Sequence, residues 1–345
     1  MAPRLRKVLI TIITITMISL LAAIIIAAFN FKTFGPNIFA KRIEPTREES
    51  IVNKTQMRKV MWKFMVDHLL GRGNLRPQKG EIPVIKTDLK NLPADGDLLV
   101  WFGHSSFMLR LSGQIILVDP VFIEASPIFF VNRPFIGTDY YKPLMMPEHI
   151  DYIVISHDHY DHLDYKTVKQ LRSRVGKVLC PLGIGADFLY WGYTREQIIE
   201  LDYNEAVTMS PELTFTCLPT QHFSGRGLFD RMKTNRASWL INNIFYSGDG
   251  GYSDRFKEYG KRYDIDLAIL ENGQYNEAWR TMHTMPNDLT KEVTDLHPKR
   301  FMTVHHSKYA LAMHDWQEPR RNEQLSALQT GIPLIITHIG KIVRL

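Results

Sequence analysis

The ligand chemistry of this chain is concentrated in one run, Ser156 to Asp164, which reads Ser-His-Asp-His-Tyr-Asp-His-Leu-Asp. Imidazole nitrogens and carboxylate oxygens are the donors that borderline divalent ions such as zinc accept. His157, His159, Asp161 and His162 place four such donors within six residues. The apolar run Asp151 to Ile155 directly precedes them, so a buried strand delivers a ligand cluster to its exposed end. Without an ion, these rings and the carboxylate would meet at a core edge with unmet hydrogen bonds and opposed charge preferences. Metal binding is therefore the expected chemistry. The plain alternative is a solvated polar turn, or a His-rich tract that holds metal loosely.

Other candidate groups recur where apolar runs give way to loops, and active groups usually sit there. Taken alone, His222 reads as an ordinary surface histidine, and Asp249, in Ser-Gly-Asp-Gly-Gly, as a turn former. If His305 and His306 continue a strand, their side chains point to opposite faces and only one can reach a metal. The elements that must position these groups are short apolar runs. Leu98 to Phe102, Phe107 to Leu111 and Ile115 to Val118 form a strand meander, with Ser112-Gly113 as a tight hairpin turn. Further buried strands are expected at Tyr152 to Ile155, Leu213 to Leu218, Trp239 to Ile241, Ile244 to Tyr246, Leu267 to Leu270, Phe301 to Val304 and Leu334 to Ile336. Asn242-Asn243 suits a second hairpin. Helical stretches lie between them at Tyr165 to Arg174 and Pro286 to Leu296, so the fold class is a layered mixture of α and β. No Gly-x-Ser-x-Gly elbow and no Gly-rich phosphate loop is present.

With 345 residues, 45% of them hydrophobic, the chain can bury an enzyme-sized core. Cys180 and Cys217 are too few for a disulfide framework and lack the Cys-x-x-Cys spacing of a thiolate site. The net charge of +6 is mild, and no concentrated basic tract with stacking aromatics follows the metal run, so nucleic acid is not an expected partner. Val8 to Phe29 carries no charge and is long enough to cross a bilayer. An uncleaved signal anchor is expected there, with Arg4, Arg6 and Lys7 holding the N-terminus in the cytoplasm and the body outside it. The organisation expected is a membrane segment over 1–30, a juxtamembrane linker and helical extension over 31–95, and a hydrolase domain over 96–345. Val60, Met61, Phe64, Met65 and Leu69 recur at helix spacing within that extension, closed by Gly71 and Gly73.

The string His-x-His-x-Asp-His at His157, His159, Asp161 and His162 resembles the signature loop of the metallo-β-lactamase superfamily. Gly103-His104-Ser105, Leu117-Val118-Asp119-Pro120, Gln221-His222-Phe223, Gly248-Asp249-Gly250-Gly251-Tyr252 and Val304-His305 follow in the order that superfamily uses. The likeness covers roughly residues 96 to 320. Within the superfamily the chain is most similar to the N-acylphosphatidylethanolamine phospholipase D-like branch, through Trp101 to Ser105, His157 to Asp164, Lys233 to Trp239 and Glu318-Pro319.

This resemblance implies an αββα sandwich, here preceded by an N-terminal transmembrane helix, and a pair of zinc ions, with iron accepted by the same ligands. His157, His159 and His222 would hold one metal, Asp161, His162 and His305 the other, and Asp249 would bridge them. His104 and Asp119 would orient ligand imidazoles from behind. Two metals sharing a hydroxide can drive an in-line displacement without a side-chain nucleophile. The branch further implies cleavage of a lipid phosphodiester to a phosphatidic acid-type product, with phospholipid and membrane as partners. His283 would sit by the substrate as a general acid for the leaving group. Arg226, Arg231 and Lys233 are candidates for neutralising phosphate charge, and Tyr275 for lining the pocket. Two strings depart from the branch: Tyr275-Asn276-Glu277-Ala278 replaces Tyr-Glu-Pro-Arg, and Gly250 stands in place of a Thr. Aromatic and Met residues between Ile123 and Met146, among them Phe129, Phe130, Phe135, Tyr140, Tyr141, Met145 and Met146, either line an acyl groove or pack on the core. The competing readings are a sugar-phosphate lactonase or nuclease-like phosphodiesterase on the same scaffold, and a membrane-tethered metal-binding envelope protein without activity.

Overall fold

Alternation along the strands sets the architecture, because successive residues of a strand face opposite sides of its sheet. The first strands are β1 (Leu98–Trp101), β2 (Phe107–Leu111), β3 (Gln114–Val118), β4 (Ile150–Val154), β5 (Val175–Pro181) and β6 (Ile198–Leu201). They form a seven-stranded sheet that β13 (Ile342–Arg344) completes by pairing antiparallel with β1. A six-stranded sheet contains β7 (Ala206–Ser210), β8 (Leu213–Pro219), β9 (Ala237–Ile241), β10 (Ile244–Tyr246), β11 (Leu267–Glu271) and β12 (Arg300–Val304). In β9 to β11, Trp239, Ile241, Ile244, Tyr246, Leu267 and Ile269 join the core shared with the first sheet, while Leu240, Phe245, Ala268 and Leu270 join a separate core.

That second core receives Phe256 and Tyr259 of α3 (Arg255–Arg262) and Leu289 and Val293 of α4 (Pro286–Leu296). On the first sheet, α1 (Tyr165–Leu171) contributes Val168 and Leu171, and α2 (Gly185–Tyr190) contributes Phe188. Helix α5 (Glu318–Thr330) completes the layer on the second sheet by packing on α4. The order is helix, sheet, sheet, helix, the αββα sandwich expected from sequence. The structure, a computed structural model, describes residues 74–345 apart from 94, 128–131 and 228–229, together with residues 10–19, 21, 22, 33, 35, 36, 59, 60, 62, 63 and 66.

Both expected hairpins form. Ser112 and Gly113 take φ of 50° and 80° between β2 and β3, the twist a two-residue turn requires, and Asn242 takes φ of 52° between β9 and β10. Strands β5, β6, β7 and β13 were not expected. Of the run Leu334 to Ile336, Leu334 makes only an isolated bridge to Phe301. Part of the stretch 31–95 packs on the body: Leu89 lies in the main core and Val84 bridges to Ile339.

Residues 10–19, 21 and 22 are helical, and among the described residues no helix is long and apolar enough to cross a membrane. The rest of the Val8 to Phe29 segment lies outside the described residues, as do Met61, Phe64, Met65, Leu69, Gly71 and Gly73 of the expected helix, and Phe129 and Phe130. Of the remaining Ile123 to Met146 loop, Phe135, Tyr141 and Met146 are buried. Tyr141 and Met146 pack into the main core, as the plainer expectation has it, while Ile136 and Leu144 are exposed.

Candidate metal centre

The loops that leave β1, β3, β4, β8, β10 and β12 open on one edge of the sandwich. His104, Asp119, the run from His157, His222, Asp249 and His305 follow these strands in turn. Within the metal run the alternating residues are held from behind. Asp158 accepts from Gly225 N (2.7 Å) and Thr234 Oγ1 (2.8 Å), Tyr160 donates to the Arg226 carbonyl (2.7 Å), and Asp164 caps α1 through Lys166 N (3.0 Å). Anchored in this way, the loop turns its remaining residues inward.

Two groups of donors result. His157, His159 and His222 form the first: His159 Nδ1 lies 2.9 Å from His157 Nε2 and 3.2 Å from His222 Nε2. Asp161, His162, His305 and His104 form the second, with Asp161 Oδ2 3.0 Å from His104 Nε2, 3.4 Å from His305 Nε2 and 3.9 Å from His162 Nε2. Asp249 stands between them. Its Oδ1 is 3.1 Å from His162 Nε2, and its Oδ2 is 3.2 Å from His305 Nε2 and 3.9 Å from both His157 and His222 Nε2.

Burial pushes His157 and His222 well below the ordinary imidazole pKa, reinforced by the neighbouring rings, and brings His159 down to about 3. These three rings are thus neutral, the form that coordinates metal. Burial opposes charge on Asp249 too, but His162 and His305 outweigh it and hold the carboxyl well below its usual range. A buried polar atom without a partner costs roughly 1–3 kcal/mol. His162 Nε2 and Asp249 Oδ1, which face each other at 3.1 Å across the site, are atoms that no hydrogen bond satisfies. Imidazole nitrogens and carboxylate oxygens gathered within reach of one another are the set a divalent cation satisfies, so the residues present fit divalent metal.

The supporting contacts follow the same logic. Asp119 accepts from His162 Nδ1 (2.7 Å), Ser156 N (2.7 Å), Ser156 Oγ (2.5 Å) and Tyr246 OH (2.6 Å). His222 Nδ1 donates to the Met282 carbonyl (2.7 Å). Each bond leaves the Nε2 of its ring facing inward. His104 differs from expectation, since its hydrogen bond goes to the Asp161 carboxylate (3.0 Å), not to a ligand imidazole. His305 also reaches the site by another route. The strand stops at Val304 and His305 takes φ of 69°, so the pair does not continue β12; His306 instead tilts against Trp101 at 5.1 Å.

A pocket of about 220 Å³ opens over the donors, with His159, Asp161, Asp249, His283 and His305 on its polar side and Phe223, Trp279, Met282 and Leu311 on its apolar side. His283 thus lines the pocket above the donors. Three other assignments need correction. Arg226 is buried and donates through Nε to the Thr33 carbonyl (2.9 Å) and through Nη1 to the Asp158 and Leu163 carbonyls (2.7 Å each), so its cation braces the metal loop from behind. Tyr275 is buried away from the pocket, donating to Glu318 Oε1 (2.7 Å) and stacking on His314. Lys233 does not line the pocket either. Arg231 alone of the three cations stands beside it, 4.4 Å from the ring of the wall residue Phe223. The departure at Gly250 has a local cause: a Cβ there would lie 2.4 Å from Thr220 Oγ1.

Glu271, at the end of β11, escaped the sequence reading although it is fully buried beside His283 and His305. Its signal was an apolar strand ending in a carboxylate, the pattern that also marks Val118-Asp119.

Because Arg226 spends its donors on three carbonyls, Arg226→Ala is expected to lower stability by about 3 kcal/mol in denaturant unfolding, on the scale of hydrogen bonds to charged groups. A variant of unchanged stability with weakened substrate binding would return Arg226 to the pocket.

Comparison with known proteins bears on the family and the fold. The family described as "Beta-lactamase superfamily domain" matches residues 114–306. The uncharacterized protein Rv0906 of Mycobacterium tuberculosis is 34% identical over 278 residues, covering 78% of this chain and 73% of that one. N-acyl-phosphatidylethanolamine-hydrolyzing phospholipase D 1 of Caenorhabditis elegans is 28% identical over 253 residues, covering 65% of this chain and 68% of that one. Among solved structures, the metallo hydrolase Igni18 of Ignicoccus hospitalis superposes with a TM-score of 0.54 at 20% identity, over 72% of this chain and 98% of that one, a likeness of fold.

Proposed function

Since the chain belongs to the beta-lactamase superfamily and is a metal-dependent hydrolase, we propose that it hydrolyses a lipid phosphodiester, of the N-acylphosphatidylethanolamine kind, at a pair of zinc ions. The observation that carries this reading is Asp249, whose two oxygens lie within 3.1 to 3.9 Å of four imidazoles from both donor groups. His157, His159 and His222 would hold one ion, Asp161, His162 and His305 the other, with Asp249 shared; iron is accepted by the same donors. Bound there, the ions would supply an activated water and neutralise charge on the phosphoryl oxygens.

The chain's own residues do the rest. Asp119 and the Met282 carbonyl fix the tautomers of His162 and His222. Phe223, Trp279, Met282 and Leu311 form an apolar wall that suits an acyl-bearing substrate and keeps water from the reacting centre. Arg231 at the wall offers a cation to an anionic head group. His283 lines the pocket with Nδ1 engaged by Glu271, so its Nε2 is the atom that would pass a proton to the leaving alcohol. The relative from Caenorhabditis elegans carries the corresponding activity in its name, which supports the choice of substrate class. On the same reading Val8 to Phe29 tethers the domain over 96–345 to a membrane, through the linker over 31–95, with the body outside the cytoplasm.

The full chain, purified in detergent without chelator, is expected to carry two metals and to release a phosphatidic acid-type product from N-acylphosphatidylethanolamine. Metal counting is paired with assays on that lipid, a soluble phosphodiester, a lactone and a β-lactam. Lactone turnover without phosphodiester turnover would keep the site and discard the substrate; fewer than one metal per chain would discard the mechanism.

A further inference from the structure

We propose that Glu271 is a positioning residue that braces two parallel imidazoles, aiming His305 at the metal pair and His283 at the substrate; the inference rests on the metal-pair reading above. Glu271 closes β11 with the same side-chain parity as Leu267 and Ile269, which face the core between the sheets. Its register partner on the neighbouring parallel strand is Val304, the residue before His305. The carboxylate therefore stands at the mouth of the sandwich, where the metal-facing loop leaves β12.

Three groups converge on it. Oε2 accepts from Gly250 N at 2.7 Å, which ties down the turn that presents Asp249. Oε1 accepts from His283 Nδ1, and His305 Nδ1 lies 3.2 Å from the same oxygen. The two rings are stacked, with centroids 5.3 Å apart and planes 16° from parallel, so the one oxygen holds a hydrogen bond from His283 and stands in ion-pair contact with His305 Nδ1, a buried nitrogen that no hydrogen bond satisfies. With His305 Nδ1 turned to Glu271, its Nε2 is the nitrogen that faces Asp249 Oδ2 (3.2 Å) and Asp161 Oδ2 (3.4 Å).

Glu271 is itself among the residues whose donor atoms gather close enough to hold an ion. Both of its oxygens are engaged, however, and a carboxylate that accepts from a ring nitrogen and a backbone N–H and faces a second ring orients ligands better than it coordinates. It is also fully buried, and the groups on its oxygens are these two imidazoles and one amide. Removing its charge or its reach releases His305 and His283 together, while His157 and His222 keep separate supports in Ser156 and Met282.

Glu271→Gln keeps the volume but replaces one acceptor oxygen by a donor, which opposes a ring N–H. Glu271→Asp keeps the charge, and with it the fold, but withdraws it from both rings by one methylene. Full-length wild type and both variants are loaded with Co2+, and the two binding steps are followed by ligand-field absorption during chelator competition. The expected result is a ten- to hundred-fold weaker affinity at one of the two steps, with the other unchanged and circular dichroism as in wild type. Equal affinities at both steps in both variants would overturn the proposal, as would equal weakening of both steps. Because affinity is read apart from turnover, a wild-type chain that binds two metals and cleaves no phosphodiester fails only the substrate assignment. A wild type that binds no metal overturns both.

Discussion

Asp249→Asn is expected to leave a folded chain that keeps one metal at most and loses about 10⁴-fold in turnover, the scale seen when one member of a catalytic unit is removed. The side chain changes little in size, so the packing around it is kept. Electrostatics decides the outcome. Unit charges 4 Å apart repel by about 4 kcal/mol at an effective dielectric near 20, and two divalent ions by about four times as much. A carboxylate within reach of both donor groups offsets that repulsion, and Asp249 is the one acid among the described residues that joins His157 and His162 on one side and His283 and His305 on the other. Asp161 belongs to the second group alone. Metal content per chain and initial rates are the measurements. Two retained metals with a rate within tenfold of wild type would remove Asp249 from its bridging role.

How much of this arrangement was legible beforehand depended on whether a residue's role was local. The strand that ends in a ligand run, the two hairpins and the helix Pro286–Leu296 were readable because apolar periodicity and turn chemistry act over a few residues. Strand β7, Ala206–Ser210, was missed because no residue of it is fully buried and its apolar signal is confined to the half-buried Val207 and Met209. Strand β5, Val175–Pro181, carries Gly176 and Lys177 near its start, which break the apolar run. Long-range returns of the chain were harder still. Arg226 follows His222 by four residues and looks like a phosphate ligand, yet the loop carries it behind the metal run. Tyr275 was drawn toward the pocket by its motif, and the buried hydroxyl contact with Glu318, from the start of a helix unseen in the sequence, pulls it away. Glu271 shows the converse: proximity to His283 and His305 arises from a parallel strand pair that no local pattern announces.

The second large effect is expected at Asp119, and it separates stability from catalysis. This fully buried carboxylate accepts four hydrogen bonds, from Ser156 N, Ser156 Oγ, His162 Nδ1 and Tyr246 OH. It joins β3, the start of the metal loop and β10, which lie in different sheets. Asp119→Ala strands those donors in the core, and breaking a buried charged pair by removing one partner costs about 3–5 kcal/mol. Its sign with pH is set by His162. Burial opposes the charged ring, but Asp249 and Asp119 hold its pKa well above the ordinary value, so without metal the ring is protonated in the folded chain. The stability that this raised pKa contributes is fully present below the unfolded imidazole pKa and is lost as pH rises through the folded one. Asp119→Ala in the presence of chelator should therefore lose most stability at mildly acid pH and less at alkaline pH, measured by denaturant unfolding at a series of pH values. With metal restored, protons and the ion compete for His162 Nε2, and the variant should also bind metal less tightly, since nothing then fixes the ring's tautomer. A pH-independent loss below about 1 kcal/mol, the scale of an exposed pair, would mean that Asp119 is not the hub between the sheets.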